Sequence, residues 1–206
     1  TGGAFPEISP KRLHAGGGVV ALILAMIMFF APAIGVPNEL MLQDTLKSIV
    51  VSFGALAGLL MVFWSQRNRR DAFRWHFVMW LPLMLMAYAL GSMVWSHAYL
   101  SGVEAIRWFI LAGLVWLGLN CFTRERFGYL AHGVHWGAFA ASLWAALQFW
   151  TDFTYFPQGP NPASTFVNRN FFAEFTACTF PFSIYLLLHK KNSSMVALFS
   201  ATTAFN

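Results

Sequence analysis

The sequence predicts an all-α fold: a polytopic transmembrane bundle of six helices plus the start of a seventh, with a cytoplasmic N-terminus. Three observations support this prediction. Of the 206 residues, 58% are hydrophobic and only 10% are charged, whereas soluble domains contain about 25% charged residues. Long apolar runs alternate with short polar segments along the chain, and basic residues concentrate in every second polar segment. We therefore expect residues 1–206 to form a single transmembrane domain with no soluble domain.

The apolar runs place the predicted helices in order. The first run, at about 17–35, follows Lys11 and Arg12 and has the roughly 20 residues that a hydrocarbon core requires. Further helices are expected at about 47–64, 77–95, 106–123, 129–150 and 170–188, with an incomplete seventh helix at 195–206. In the second run, Gly54 and Gly58 are four residues apart, a spacing that allows two helices to approach closely.

The basic residues orient the predicted bundle. With the N-terminus in the cytoplasm, most of the 13 Lys and Arg residues lie on the cytoplasmic side, and only Lys47, Arg107 and Arg169 lie outside. This distribution follows the positive-inside rule. Anionic lipid headgroups account for the net charge of +5. We therefore expect membrane lipids as partners and no nucleic acid.

The densest polar cluster lies where the longest predicted outside loop, residues 151–169, meets the sixth helix. Asn168, Arg169 and Asn170 stand at the N-terminal end of that helix. Free N–H groups and the positive end of the helix dipole suit a phosphate there, and Arg169 adds a planar cationic fork. Glu174 follows about one turn later inside the apolar run, where a carboxylate is costly unless it is paired or faces a cavity. These residues form the predicted substrate-binding site.

A structural interpretation of the same residues stays open. Asn168 or Asn170 can serve as a helix N-cap, and Arg169 can anchor the helix at the membrane interface. Glu174 can form a salt bridge to a neighbouring helix, such as the one that carries Arg107.

Other polar residues are weaker candidates. Arg107 with Glu104 is either a loop ion pair or a second phosphate contact, and His97 lies in a predicted outside loop. His132 and His135 are three residues apart near the start of the fifth helix, where they suit a haem, a chlorophyll or a metal. No Cys, Asp or Glu lies at a supporting spacing, so interhelical hydrogen bonding is the favoured role. No cofactor and no metal site are expected.

The segment 164–175 reads Ser-Thr-Phe-Val-Asn-Arg-Asn-Phe-Phe-Ala-Glu-Phe, after a Gly/Pro/Asn turn and before an apolar run. It resembles the signature of the O-antigen ligase and O-antigen polymerase superfamily. Asn168 and Asn170 match the Asn pair of that signature, and Ala173 matches the small residue that follows. The preceding five-helix, basic-inside arrangement also resembles the N-terminal half of these proteins, by hydropathy alone.

This resemblance implies a multi-pass enzyme of the bacterial inner membrane. Such glycosyltransferases use neither metal nor nucleotide and transfer an undecaprenyl-diphosphate-linked glycan at the periplasmic face. The acceptor is lipid A core, another glycan repeat or a protein. The resemblance implies a diphosphate-binding role for Arg169. In the family, a histidine in a large later periplasmic loop is thought to activate the acceptor. The chain stops at Asn206, so we expect an N-terminal fragment and assign no catalytic residue.

Two other functions stay open. The chain can be a non-catalytic transmembrane accessory subunit, a truncated relative packed against other subunits of a photosynthetic or respiratory membrane complex. Its aromatic content of 17% and the missing later loop favour this alternative. A transporter is the least favoured function. Pro82 and Pro181 lie inside predicted helices, but no polar unwound segment accompanies them.

Overall fold

The fold is helical throughout the part of the chain that the structure, a computed structural model, describes. The described residues are 17–37, 43–67, 73, 75–151, 155–156, 162–166 and 168–206. The helices are α1 (Gly17–Ala33), α2 (Gln43–Gln66), α3 (Trp80–Ser92), α4 (Ala98–Cys121), α5 (Phe127–Thr151), α6 (Arg169–His189) and α7 (Ser193–Phe205). A 3-10 turn, Phe77–Met79, leads into α3. Because these residues contain no strand, the predicted all-α class is confirmed for them.

Three of the described helices, α2, α4 and α6, are long and apolar enough to cross a membrane. At about 1.5 Å per residue, the 24 residues of α2 span roughly 36 Å, more than a hydrocarbon core of about 30 Å. The helix α1, the segment Phe77–Ser92 and α7 are shorter apolar helices. The helix α5 has 25 residues, but His132, His135 and Gln148 lower its hydropathy. These lengths and compositions indicate a membrane protein, and six crossings with a cytoplasmic N-terminus stay a prediction.

The predicted start of the fourth helix is wrong. The helix α4 begins at Ala98 rather than near residue 106, so the segment around Glu104, predicted as a loop, is helical. Inside the helix, the carboxylate of Glu104 pairs with Arg107 one turn later, and such a pair stabilises a helical turn. Hydropathy alone misses helical turns that carry a polar pair of this kind. The helix α2 also starts early, at Gln43, which places Lys47 one turn inside it.

The described residues fall into two compact units. The first is drawn from Thr1–Val20 and Gly58–Phe122, and the second from Ala21–Ala57 and Thr123–Asn206. In the first unit, α3 packs along α4, and a Cβ added at Gly58 would lie 3.0 Å from Leu117 Cδ1. In the second unit, a Cβ at Gly54 would overlap the side chain of Ile27. Both glycines therefore allow the close packing that their spacing predicts.

The second unit is built around α5. Its buried residues are mostly Ala, Gly and Ser, with His135 and Gln148 among them. A Cβ at Gly133 would overlap the backbone of Ala25, and one at Gly137 would lie 2.5 Å from the carbonyl oxygen of Met28. The backbones of α1 and α5 are therefore in direct contact at these two glycines, as in small-xxx-small helix pairs. This second pair of glycines is not among the predicted packing positions.

Candidate functional site

The start of α6 is capped by Asn168. This residue has an extended backbone (φ −134°, ψ 135°), and its side-chain oxygen Oδ1 accepts a hydrogen bond from the backbone N–H of Asn170 at 2.9 Å. The cap satisfies one of the N–H groups that a helix start leaves unpaired. The structural interpretation is therefore confirmed for Asn168. Because the backbone N–H of Asn170 already donates to the Asn168 side chain, this N–H group is not free to bind a phosphate.

The other three candidates of this cluster are exposed side chains on the first two turns of α6. Arg169 is the first helical residue, and Asn170 and Glu174 lie four residues apart, on one face of the helix. Within the described part of the chain, neither Arg169 nor Glu174 forms a salt bridge, since the one salt bridge there joins Arg107 to Glu104. The guanidinium of Arg169 therefore has no carboxylate partner among the described residues.

The turn before α6 is buried and forms hydrogen bonds with α5. Ala163, Ser164 and Thr165 are all buried. The side-chain oxygen of Gln148 accepts hydrogen bonds from the backbone N–H groups of Ala163 (2.9 Å) and Ser164 (2.6 Å), and its amide nitrogen donates to the Ser164 carbonyl (2.9 Å). The Ser164 hydroxyl donates to the carbonyl of Ala141 at 2.5 Å. Ser164 has a positive φ of 57°, a left-handed conformation that such contacts must stabilise in a residue other than glycine.

The opposite side of the turn forms hydrogen bonds with α1 and α2. Lys47 Nζ donates to the Thr165 hydroxyl at 2.9 Å and to the Ala31 carbonyl at 3.1 Å. It also lies 4.6 Å from the centre of the Phe166 ring, in cation–π contact. The Thr165 hydroxyl in turn donates to the Pro32 carbonyl at 2.6 Å. The Ser-Thr-Phe part of the motif is therefore an anchored turn that leads into the start of α6.

Neither side chain that holds this turn, Lys47 or Gln148, is among the predicted site residues. Lys47 was counted only as an outside charge, and Gln148 was not singled out. Their position in the sequence could have identified them. Each is a strongly polar residue within or at the end of an apolar run, and such residues in membrane helices usually have a partner.

The two histidines of α5 form hydrogen bonds within the second unit. The ring of His135 is buried, with Nδ1 at 2.8 Å from the Ser183 hydroxyl of α6 and Nε2 at 2.9 Å from the Thr202 hydroxyl of α7. His132 Nε2 lies 3.3 Å from Lys190 Nζ. The prediction of interhelical hydrogen bonding is confirmed for His135. Among the described residues, no group of three or more His, Cys, Asp or Glu is placed to hold a metal ion.

The remaining candidates belong to the first unit. His97 directly precedes α4, is exposed and makes no side-chain cap. Arg107 Nη1 lies 2.6 Å from Glu104 Oε1, and both side chains are about half exposed (53% and 50%). The predicted ion pair is confirmed, within a helix rather than a loop.

Comparisons with protein families, curated proteins and solved structures found no match to this chain. The resemblance of the segment at the start of α6 to the O-antigen ligase signature therefore stays a prediction.

Proposed function

We propose that the start of α6 binds the diphosphate of an undecaprenyl-diphosphate-linked glycan, as part of an O-antigen ligase-like glycosyltransferase of the bacterial inner membrane. The observation that carries this proposal is the position of Arg169. It is the first residue of a membrane-length helix, it is exposed, and it has no carboxylate partner among the described residues. A permanently charged fork at the positive end of a helix dipole suits a diphosphate.

The neighbouring side chains suggest a division of roles in binding. Arg169 donates to phosphate oxygens, and the side-chain amide of Asn170 adds a neutral donor beside it. Asn168 is the cap that sets where the helix begins. Glu174 only accepts hydrogen bonds when ionised, so in this proposal it faces sugar hydroxyls rather than phosphate. The proposal concerns binding at the extracytoplasmic face and assigns no residue to the transfer step.

Binding of undecaprenyl diphosphate tests the role of Arg169. The protein is reconstituted in lipid nanodiscs, and the affinity for added undecaprenyl diphosphate is measured by native mass spectrometry. Arg169→Ala removes charge-assisted hydrogen bonds, and we expect about tenfold to hundredfold weaker binding. Lys191→Ala is the matched control, because Lys191 is also exposed and follows the opposite end of α6. Equal affinity in the wild-type protein and Arg169→Ala would contradict the proposal.

A glycan-transfer assay separates the two functional classes. If the protein is a glycosyltransferase, Arg169→Ala abolishes transfer from the lipid-linked donor while expression and membrane insertion persist. Stoichiometric co-purification with a larger membrane complex, together with diphosphate binding that does not depend on Arg169, would instead support an accessory subunit.

A further inference from the structure

Lys47 places a cationic group at a partly buried position of the second unit, where a charge is costly. It lies one turn inside α2, and its ammonium contacts the Thr165 hydroxyl, the Ala31 carbonyl and the Phe166 ring. Within the described ranges, no carboxylate forms a salt bridge with it. Charged residues in membrane helices are retained where they have a specific partner or a function. For Lys47, the partners are the turn before α6 and the end of α1.

The turn that Lys47 holds is strained and short. Ser164 adopts a left-handed backbone, a conformation that is unfavourable for a residue with a side chain. A backbone hydrogen bond from Phe166 N to the Ala163 carbonyl (2.9 Å) closes the turn. Arg169 follows Phe166 by only three residues along the chain, so the turn lies next to the first residue of α6 in sequence.

We infer that Lys47 is a positioning residue for Arg169. Its charge on α2 fastens the Ala163–Phe166 turn to α1 and α2, and the fastened turn places the Arg169 guanidinium where the diphosphate is bound. Lys47 acts through Thr165 and Phe166 and does not itself touch the substrate. This inference rests on the proposed function for the role of Arg169, whereas the fastening of the turn is measurable without any ligand.

Amide hydrogen exchange measures directly how strongly Lys47 stabilises the Ala163–Phe166 turn. In nanodiscs, Lys47→Met keeps the length of the side chain but removes the charge and both donated hydrogen bonds. We expect the backbone amides of the Ala163–Phe166 turn to exchange about tenfold faster, with no change in α7. Lys47→Arg retains a donor and a cation, and we expect it to restore slow exchange. Lys191→Met, on an exposed lysine, controls for the loss of a positive charge.

A second variant covers the case in which Lys47→Met fails to fold. Thr165→Val removes the hydroxyl that accepts from Lys47 and, with it, the hydrogen bond that this hydroxyl donates to the Pro32 carbonyl, while the charge of Lys47 and the shape of the side chain are kept. We expect the same faster exchange of the turn in Thr165→Val. Unchanged exchange in either folded variant overturns the inference, whatever Arg169→Ala does to binding.

Binding of undecaprenyl diphosphate then tests the positioning role. We expect Lys47→Met to weaken binding about tenfold and Lys47→Arg to stay within about threefold of the wild-type protein. The positioning role is wrong if the turn amides of Lys47→Met exchange faster and Arg169→Ala loses binding of undecaprenyl diphosphate, but Lys47→Met binds it as tightly as the wild-type protein. If neither Arg169→Ala nor Lys47→Met changes binding, the proposed function fails instead.

Discussion

At the residue scale, two glycines of α5 differ sharply in what surrounds them. A Cβ at Gly133 would overlap the backbone of Ala25, whereas a Cβ at Gly128 would have nothing within 4 Å. A neighbouring backbone in a packed helix cannot rotate aside as a side chain can. An added methyl group therefore forces α1 and α5 apart at Gly133 and meets open space at Gly128.

We predict opposite effects of alanine at these two positions. Gly133→Ala should lower the free energy of unfolding by about 1–3 kcal/mol, the usual cost of overpacking. Gly128→Ala should leave it unchanged or raise it slightly, because alanine favours the helix more than glycine does. Thermal unfolding of both variants in the same detergent measures the difference. Equal melting temperatures for the two variants would show that α1 and α5 are not in backbone contact.

Residue types were easier to predict from the sequence than residue partners. The position of Asn168 and Asn170 before an apolar run made an N-cap at one of them an open interpretation beside phosphate binding, because capping depends only on the next few residues. The partners of Lys47 could not be predicted. They lie 16 residues before it, at Ala31, and 118 residues after it, at Thr165, so they depend on how three helices and a turn pack together.

At the scale of the elements, the side chain of His135 on α5 forms hydrogen bonds to both α6 and α7. The Thr202 hydroxyl donates to the Leu198 carbonyl at 2.9 Å, so it accepts its second hydrogen bond from His135 Nε2–H. Nδ1 of the same ring then accepts from the Ser183 hydroxyl. These bonds assign the neutral tautomer with its proton on Nε2, an assignment made from the network.

We predict that His135→Phe destabilises the protein more than His132→Phe. Hydrogen bonds between membrane helices contribute about 0.6 kcal/mol each on average, so losing two should cost roughly 1 kcal/mol. His132 is only partly buried, and its side chain forms one hydrogen bond within the described residues, 3.3 Å long to Lys190 Nζ, so its loss should cost less. Unfolding by a denaturing detergent at increasing mole fraction measures both variants. A loss in His132→Phe that equals the loss in His135→Phe would contradict this role for His135.

Helix existence was predictable from hydropathy, and helix ends were not. Seven apolar runs correspond to the seven described helices, because a long apolar segment in lipid must satisfy its backbone internally. The start of α4 was predicted too late in the chain, because Glu104 and Arg107 lower the mean hydropathy near the start of the helix. The extra length follows from a side-chain pairing that only the folded helix reveals.

At the scale of the whole molecule, the orientation in the membrane decides whether the proposed site can meet its substrate. The charge distribution predicts a cytoplasmic N-terminus, and this orientation places Arg169 outside and Lys191 inside. The 21 residues of α6 span about 32 Å at 1.5 Å per residue, enough to cross a hydrocarbon core of about 30 Å. Its two ends should therefore lie on opposite sides of the membrane.

Cysteine labelling tests this orientation. In a background with Cys121→Ser and Cys178→Ser, we place one cysteine at Asn170→Cys or at Ser193→Cys, both exposed positions beside the two ends of α6. In intact spheroplasts, a membrane-impermeant maleimide should label Asn170→Cys, because the positive-inside rule keeps the basic end of the helix in the cytoplasm. Ser193→Cys should react only after the membrane is opened. The reverse pattern would place Arg169 in the cytoplasm and exclude binding of a periplasmic glycan donor, and labelling of both positions in intact spheroplasts would show that α6 does not cross the membrane.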